Sequence, residues 1–568
     1  MLNVYRSRLL ASTLLVGAAV IAHPALAQTA DPASQPKTGV QSTDPSAPAG
    51  GISSQESAPP AGDNSTGDIV VTGTLIRNPN LISSSPVSVI GAEEQALRQR
   101  NTAEELLRDL PGVAPSIGSA VNNGNGGAAY VDLRGLGNFR NVVLLDGTRI
   151  TPASSVGRVD LNNIPLALVQ RTDVLTGGAA TTYGADAVSG VVNFITRSDF
   201  SGMELNVSNG ITERGDGASF RADLTLGANF DDGRGNAVVS FGYQDVDPVY
   251  QGARNFSRNN YTSTSGGRGG SGTTVPGRFT LPAAYNTIDP STGSLRPYVG
   301  STDGFNFNPY NIFQTPFKRY NIYAAGHYDV SDKVQVYGRG LFSKNTVSTI
   351  IAPSGIFGQL LTIPVSNPYL PAAARAQFCA NNDFDPNTAG IQTLTAAQCA
   401  AAATATSPND PNFRSFTTTV GRRTTEVGPR LSDYVTTVFD YRAGVKLGIT
   451  DSISLDISGA YGESENRQTQ QNYVLISRLR TAVYTTSTTS CNLGASPAVL
   501  NPNPALPPLA NAGAGTNAGT GCVPVNIFGA DGSILPNQVP YLTAAAITSQ
   551  NTSLAQARAL LSLSLIHI

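Results

Sequence analysis

The chain has 568 residues, only 13% of them charged, with 58 glycines, no tryptophan and a formal net charge of -2 at pH 7. That length holds several ordinary domains, or one large barrel plus something small. Near-neutral charge argues against nucleic acid as a partner, because phosphate binding wants a basic face, and few charges with many glycines suit strands and turns.

The first predicted element is an export signal over residues 1–27. Arg6 and Arg8 precede an apolar run from Leu9 to Ala22, and Ala25-Leu26-Ala27 offers the small residues that a signal peptidase accepts. The run is too short to span a bilayer as a helix, which needs about 20 residues. A short membrane anchor is the alternative, and the polar sequence directly after Ala27 speaks against it. Residues 28–67, dominated by Ala, Pro, Ser, Gly, Gln and Thr, cannot bury enough apolar surface to offset ordering entropy and are expected to be disordered. Asp68, Ile69, Val70, Val71, Thr72 and Gly73 then form a short strand-prone run with no obvious partner strand.

Residues 80–200 read as a small α+β domain. Asn101 and Glu104 resemble a helix N-cap and its returning acid, and Ala103, Leu106, Leu107 and Leu110 fall on one helical face, stopped by Pro111-Gly112. Tyr130 to Gly137 (YVDLRGLG) and Asn141 to Ile150 (NVVLLDGTRI) read as strands, the second turning at Asp146-Gly147 in a hairpin. Arg171 to Gly178 and Ser189 to Arg197 add two more strand-like runs. Gly135, Gly137 and Arg140 give G-x-G-x-x-R, which lacks the third glycine of a dinucleotide fingerprint. These glycines are expected instead to let the chain approach a barrel wall closely.

Beyond residue 200 one pattern takes over. Tyr320, Ile322, Ala324, Gly326, Tyr328 and Val330 alternate with Arg319, Asn321, His327 and Asp329; Phe439 to Ile449 and Ile453 to Tyr461 repeat the alternation, as do Leu224 to Phe230 and Val239 to Tyr243. No segment after the signal approaches 18 unbroken apolar residues, so membrane crossing by helices is not expected, whereas a closed barrel also satisfies every backbone group in lipid. A soluble sandwich shows the same alternation. The connections favour the barrel: Asp231 to Gly235, Ser331-Asp332 and Thr450-Asp451 are tight, and Asp247 to Pro316 is very long. Short turns on one side and long loops on the other are the habit of outer-membrane barrels, apolar outward and polar inward. The strand count between the turns at 331 and 450 comes out odd, so the run at 415–427 is either an extracellular hairpin or accompanied by an unseen strand in 346–413.

Cys379, Cys399, Cys491 and Cys522 sit in loop-like sequence and suggest two local disulfides, with pairing open. None has zinc-site spacing. Of three histidines, His23 leaves with the signal and His567 lies in a suspect terminus; His327 alone cannot make a multi-His metal site. No metal, cofactor or catalytic residue is expected, and the chain reads as a non-enzyme.

Leu106 to Val113 (LLRDLPGV), VDLRGLG, VVLLDGTRI, Asp160 to Gly178 (DLNNIPLALVQRTDVLTGG) and Tyr183 to Arg197 (YGADAVSGVVNFITR), in that order, resemble the plug of a TonB-dependent receptor of the Gram-negative outer membrane. Arg422 to Arg430 (RRTTEVGPR) resembles a barrel segment of the same family. The resemblance covers the chain from about Asp68 onward. It implies a mainly β fold: a transmembrane antiparallel barrel, 22-stranded in the family, with the α+β plug in its lumen. It also implies active uptake of a scarce solute, energised through the TonB complex of the inner membrane. Residues 68–73 then take the position of the TonB box. Arg134, Gly135, Asp146, Gly147, Arg171, Gly177, Gly184 and Gly190 become plug-motif residues of structural or gating use. Arg134, Arg149 and Arg171 are expected to pair with barrel carboxylates, or else to be solvated surface groups. Asp146-Gly147 is expected to act as a turn rather than a binding site.

The barrel portion is expected over 201–562, with eight to ten strands. The sequence thus reads as a fragment, and 563–568, back-translating to an adapter-like CTG TCT CTT ATA CAC ATC, as foreign to the gene. Expected partners are the periplasmic domain of TonB, outer-membrane lipid and an unidentified solute. A passive porin, a surface adhesin and a secreted hydrolase are the competing readings. The first two need neither a plug nor a TonB box, and the third lacks any clustered catalytic constellation.

Overall fold

The computed structural model describes residues 87–98, 100, 102–116, 127–177, 179–197, 199–281, 284–385, 390–492 and 521–563. The predicted signal, linker and TonB box, Asn101, Gly178 and residues 564–568 lie outside the described residues. No helix among the described residues is long and apolar enough to cross a membrane.

The first domain contains β1 (Val87–Gly91), α1 (Ala92–Arg98), α2 (Ala103–Arg108), β2 (Val113–Ala114), β3 (Asp132–Leu133), β4 (Asn141–Leu145), β5 (Thr148–Arg149), β6 (Val169–Leu175), α3 (Ala180–Tyr183) and β7 (Gly190–Thr196). Five of these strands form a mixed sheet in the order β1-β6-β7-β4-β5, in which β4 and β7 run parallel. Thr102, rather than Asn101, caps α2: its side chain accepts from Glu105 N. Leu106 and Leu107 are fully buried in the domain core, as the helical spacing demands. YVDLRGLG is not a strand along its length. Only Asp132–Leu133 pairs, because Arg134, Gly135 and Gly137 then adopt positive φ (60°, 67° and 100°), which turns the chain away.

Next come β8 (Gly202–Gly210), β9 (Ser219–Phe230) and β10 (Gly235–Val246). A first excursion carries β11 (Val249–Tyr250), β12 (Arg278–Leu281), β13 (Ala284–Ile288), β14 (Leu295–Pro297), α4 (Gly300–Asp303) and β15 (Ile312–Gln314). After β16 (Phe317–Ser331) and β17 (Val334–Ile351), a second excursion carries β18 (Gly355–Pro364), α5 (Ala372–Asn381), α6 (Ala396–Ala403) and β19 (Ser415–Arg423). After β20 (Arg430–Gly448) and β21 (Ile453–Val474), a third carries α7 (Ile476–Val483) and α8 (Val539–Leu542) before β22 (Thr543–Leu563).

The long strands form one antiparallel wall, ordered β22-β21-β20-β17-β16-β10-β9-β8, with tight turns at 231–234, 332–333 and 449–452 on one side. The odd count between the turns at 331 and 450 is thereby resolved. β19 pairs with β18 and β12 outside the wall, so both runs belong to an excursion on the long-loop side. Along the wall, Tyr320, Ile322, Tyr441, Tyr461 and Leu561 are exposed, while their neighbours Tyr323, Asp440 and Ser464 are buried on the opposite face. Two aromatic groups edge the exposed face: Phe220, Tyr243 and Tyr320 toward the long-loop side, and stacked Phe230 and Tyr328 beside the turns. Phe220 and Phe230 stand ten residues apart on β9, about 25 Å along the membrane normal for a tilted strand, which matches the apolar band of such barrels.

The excursions are not loose loops. They share a core containing Phe279, Ile356, Leu361, Phe378, Phe416, Leu479 and Phe528, and they join β14-β13-β12-β19-β18 into one outer sheet. Cys379 and Cys399 bridge α5 to α6, and Cys491 is bonded to Cys522. Within RRTTEVGPR, Arg422 is fully buried and binds Glu426 (2.7 Å) and Ser533 (2.8 Å), while Glu426 also accepts from Ile534 N. That motif is therefore the seam tying the third excursion to the second. Burial raises the Glu426 carboxyl, but the bonds from Arg422 outweigh it and hold the group below its ordinary value.

Candidate functional site

The first domain packs on the buried face of the wall, and their cores are continuous. Val238, Tyr323 and Leu341 of the wall join Leu107, Leu145, Leu168, Val192 and Phe194 of the domain in one cluster. Tyr323 breaks the polar alternation of its strand for that reason. Its hydroxyl also lies 3.1 Å from Thr196 Oγ1.

The hairpin predicted at Asp146-Gly147 is the centre of the contact. Leu145 pairs with Thr148 across two residues of positive φ (50° and 70°), the geometry that favours Asp-Gly in a two-residue hairpin turn. Asp146 accepts from Thr196 N (2.8 Å) and Oγ1, and Gly147 N donates to Asn193 Oδ1 (3.0 Å), so the turn is fixed to β7. From the wall, Arg339 donates to Leu145 O (2.7 Å), Asp146 Oδ2 (2.9 Å) and Thr148 Oγ1 (3.0 Å), and it stands 3.7 Å from Asp440. Asp440, 2% exposed, accepts from Thr151 N (3.2 Å) and Oγ1 (3.1 Å). Arg442 reaches Thr148 Oγ1 (3.3 Å), Arg319 reaches Asn162 Oδ1 (3.0 Å), and Gln556 reaches Arg149 O (2.9 Å).

The charge polarity of this interface is the reverse of the sequence expectation. Arg134 donates to Ser189 O, Arg149 pairs with Asp186 at 2.6 Å, and Arg171 pairs with Asp173 at 3.1 Å, all inside the domain. The docking arginines belong to the wall, and the domain offers them a carbonyl, a hydroxyl, the Asn162 amide and one carboxylate. Alternation marked Arg319 and Arg442 as inward-facing, but nothing local in the sequence singled out Arg339.

Glycine placement differs likewise. A Cβ on Gly190 (φ 146°) would stand 2.1 Å from Leu175 O, and one on Gly184 (φ 93°) would stand 3.3 Å from Arg149 Nη2, so both serve close packing within the domain. Gly135 has only Ala114 in ordinary contact. The glycines that admit the domain to the wall are others: a Cβ on Gly127 would lie 2.8 Å from Tyr434 Cβ, and one on Gly462 of β21 would lie 2.1 Å from Thr151 Oγ1. Gly177 follows β6 without entering it. Gly190→Ala is expected to prevent normal folding of the domain, since both backbone strain and a backbone oxygen oppose the methyl. Limited proteolysis of residues 87–197 checks this, and wild-type resistance would contradict it.

Two buried carboxyls of the domain are shifted up. Asp160, completely buried, caps the turn at 161–163 and accepts from Ala129 N (2.8 Å) and Asn162 N (3.0 Å); burial still pushes it up to about 6. Burial pushes Glu104 up to about 7 against the nearby Arg108 charge. An acid whose folded value is raised binds its proton more tightly when folded. Its favourable contribution is complete below its ordinary value and is lost as pH rises through about 7. Glu104→Gln, which mimics the protonated form, is expected to flatten the stability slope between pH 4.5 and 7 and to melt above wild type at pH 8; an unchanged slope would refute the reading.

A mixed α+β domain docked against the inner face of a membrane-type β wall defines the class of a plugged barrel. Residues 80–191 match the family described as TonB-dependent Receptor Plug Domain. Residues 80–191 are thus a plug domain of the kind found in TonB-dependent receptors. Among solved structures, it is similar to a ferric enterobactin receptor of Pseudomonas aeruginosa in complex with enterobactin (17% identity, 68% of this chain, 50% of that one, TM-score 0.33). It is also similar to a ferric citrate transporter in the unliganded form (15%, 73% and 51%, TM-score 0.32) and to a siderophore receptor from Acinetobacter baumannii (16%, 67% and 48%, TM-score 0.30). The chain spans about half the length of these structures.

Proposed function

We propose that the protein takes up a scarce solute actively across the Gram-negative outer membrane. The solute is captured on the outer side, and the plug is rearranged when TonB pulls on residues 68–73. The observation that carries this reading is the plug's mode of docking. Because the wall completes the plug's hydrophobic core, the plug is held firmly in place, and on this reading transport requires work on it. A porin has no use for such a domain. Because Arg339, Arg442 and Gln556 all bond to one hairpin, displacement of β4 and β5 would release several docking contacts together. The folded outer domain supplies the surface where solute is first met.

The test compares solute uptake by cells with and without a functional TonB system. Uptake should depend on TonB and on the proton gradient; passage that is independent of both would sink the proposal and favour a porin.

A further inference from the structure

Two arginines at the junction of outer domain and wall face one another without an acid. Arg430, at the start of β20, donates Nε to Ala352 O (2.8 Å), and Arg423, at the end of β19, donates Nη1 to the adjacent Pro353 O (2.9 Å) and Nη2 to Ser271 Oγ (2.7 Å). Consecutive carbonyls therefore hold the two guanidinium groups side by side. Both stand over the ring of Phe357, at 5.1 Å for Arg423 and 5.4 Å for Arg430. Phe305 backs Arg423 at 4.9 Å, and Tyr473 backs Arg430 at 5.6 Å.

Among the described residues, no carboxylate forms an ion pair with either arginine, although neighbouring Arg422 has Glu426. Arg423 is 3% exposed, and its Nε is buried without an acceptor. Burial, together with the Arg430 charge, pushes Arg423 down to about 10. Two like charges held this way repel, and unused donors in a buried place are costly. Arg430 lies on the plug-facing side of β20, since the even residues Tyr434, Val438 and Asp440 are the buried ones. Phe357 remains 45% exposed between the two cations, which leaves an open approach.

We propose that Arg423 and Arg430 form a binding subsite for an oxyanion, a carboxylate or phosphate group carried by the solute, seated against Phe357. The anion completes the unused donors and offsets the repulsion, and paired guanidinium forks suit two-oxygen groups. The physiological meaning rests on the uptake reading above, whereas the binding itself does not.

The test uses the whole chain in detergent micelles, with citrate and inorganic phosphate as probes and maltose as a neutral control, followed by calorimetry. Citrate, phosphate or both should bind, more weakly with added salt, and maltose should not distinguish the variants from wild type. Arg423→Gln and Arg430→Gln should each weaken binding about tenfold or more, while Arg414→Gln, at an exposed outer-domain residue whose side chain donates to Pro411 O and Phe413 O, should not. Preferential citrate binding assigns the subsite to carboxylates, and preferential phosphate binding to phosphates. Should the variants misfold, phenylglyoxal labelling of wild type answers instead: Arg430 should be protected by the oxyanion and not by maltose. Equal binding by all variants, no oxyanion binding by wild type, or no protection of Arg430 overturns the subsite. These outcomes leave TonB dependence of uptake untouched, so the two ideas fail separately.

Discussion

Replacing Arg339 by methionine is expected to undock the β4–β5 hairpin from the wall. Arg339 supplies donors to Leu145 O, Asp146 and Thr148, and it is the cation nearest Asp440. Its side chain is only 6% exposed, as is that of Asp440 at 3%, so removing the guanidinium leaves buried negative charge uncompensated. Breaking one partner out of a buried ionic arrangement costs about 3–5 kcal/mol. Arg442, 3.3 Å from Thr148, recovers part of that at most. Hydrogen exchange on the whole chain in micelles should therefore show amide protection over Asn141–Arg149 falling by about two orders of magnitude or more, with residues in the outer sheet unchanged. Adding Asp440→Asn should restore part of the protection, because the orphaned charge disappears with it. Wild-type protection in the single variant would show that the remaining contacts, among them those of Tyr323, Leu341, Arg442 and Gln556, hold the hairpin without Arg339.

The same interface shows what the sequence could and could not reveal. Asp146-Gly147 was legible because a two-residue turn between strands constrains residue type locally, and β9, β16, β20 and β21 were legible because their outward faces repeat every second residue. Arg339 was not, because its importance comes from hairpin atoms nearly 200 positions away, and no local pattern records such a distance. Charge polarity failed for a related reason: an arginine rich in nearby carbonyls, like Arg134 with Ser189 O, looks the same in sequence as one that reaches another domain. The outer domain was hidden more completely. Phe279, Phe416 and Phe528 come from three separate excursions, each too sparse in apolar residues to look like anything but loop. Once Phe279 stacks on Phe528 at 5.5 Å and Phe378 on Phe416 at 4.4 Å, they form a core that none of the segments could make alone.

Proline at Val70 or Val71 is expected to abolish uptake while leaving capture of solute at the surface intact. Residues 68–73 lie outside the described residues, and the expectation rests on their chemistry and position. Ile69-Val70-Val71 is a strand former placed ahead of the plug's first described strand, Val87–Gly91. A strand-forming sequence of that kind is an aggregation hazard unless something pairs with it. We infer that its partner is the edge of TonB's periplasmic sheet, to which it adds by main-chain hydrogen bonds. Proline removes one ladder donor and fixes φ without altering charge or disturbing the plug core. In a strand this short, losing one bond and its neighbours' register should reduce uptake at least tenfold, whereas Val70→Ala or Val71→Ala, which keep the backbone donor, should reduce it far less. Cells carrying each variant are compared for bound and internalised solute. Loss of surface binding along with uptake would point to misfolding instead, and undiminished uptake in both proline variants would remove residues 68–73 from the coupling mechanism. If the alanine variants fail as badly as the prolines, TonB recognises the side chains of this segment rather than its backbone.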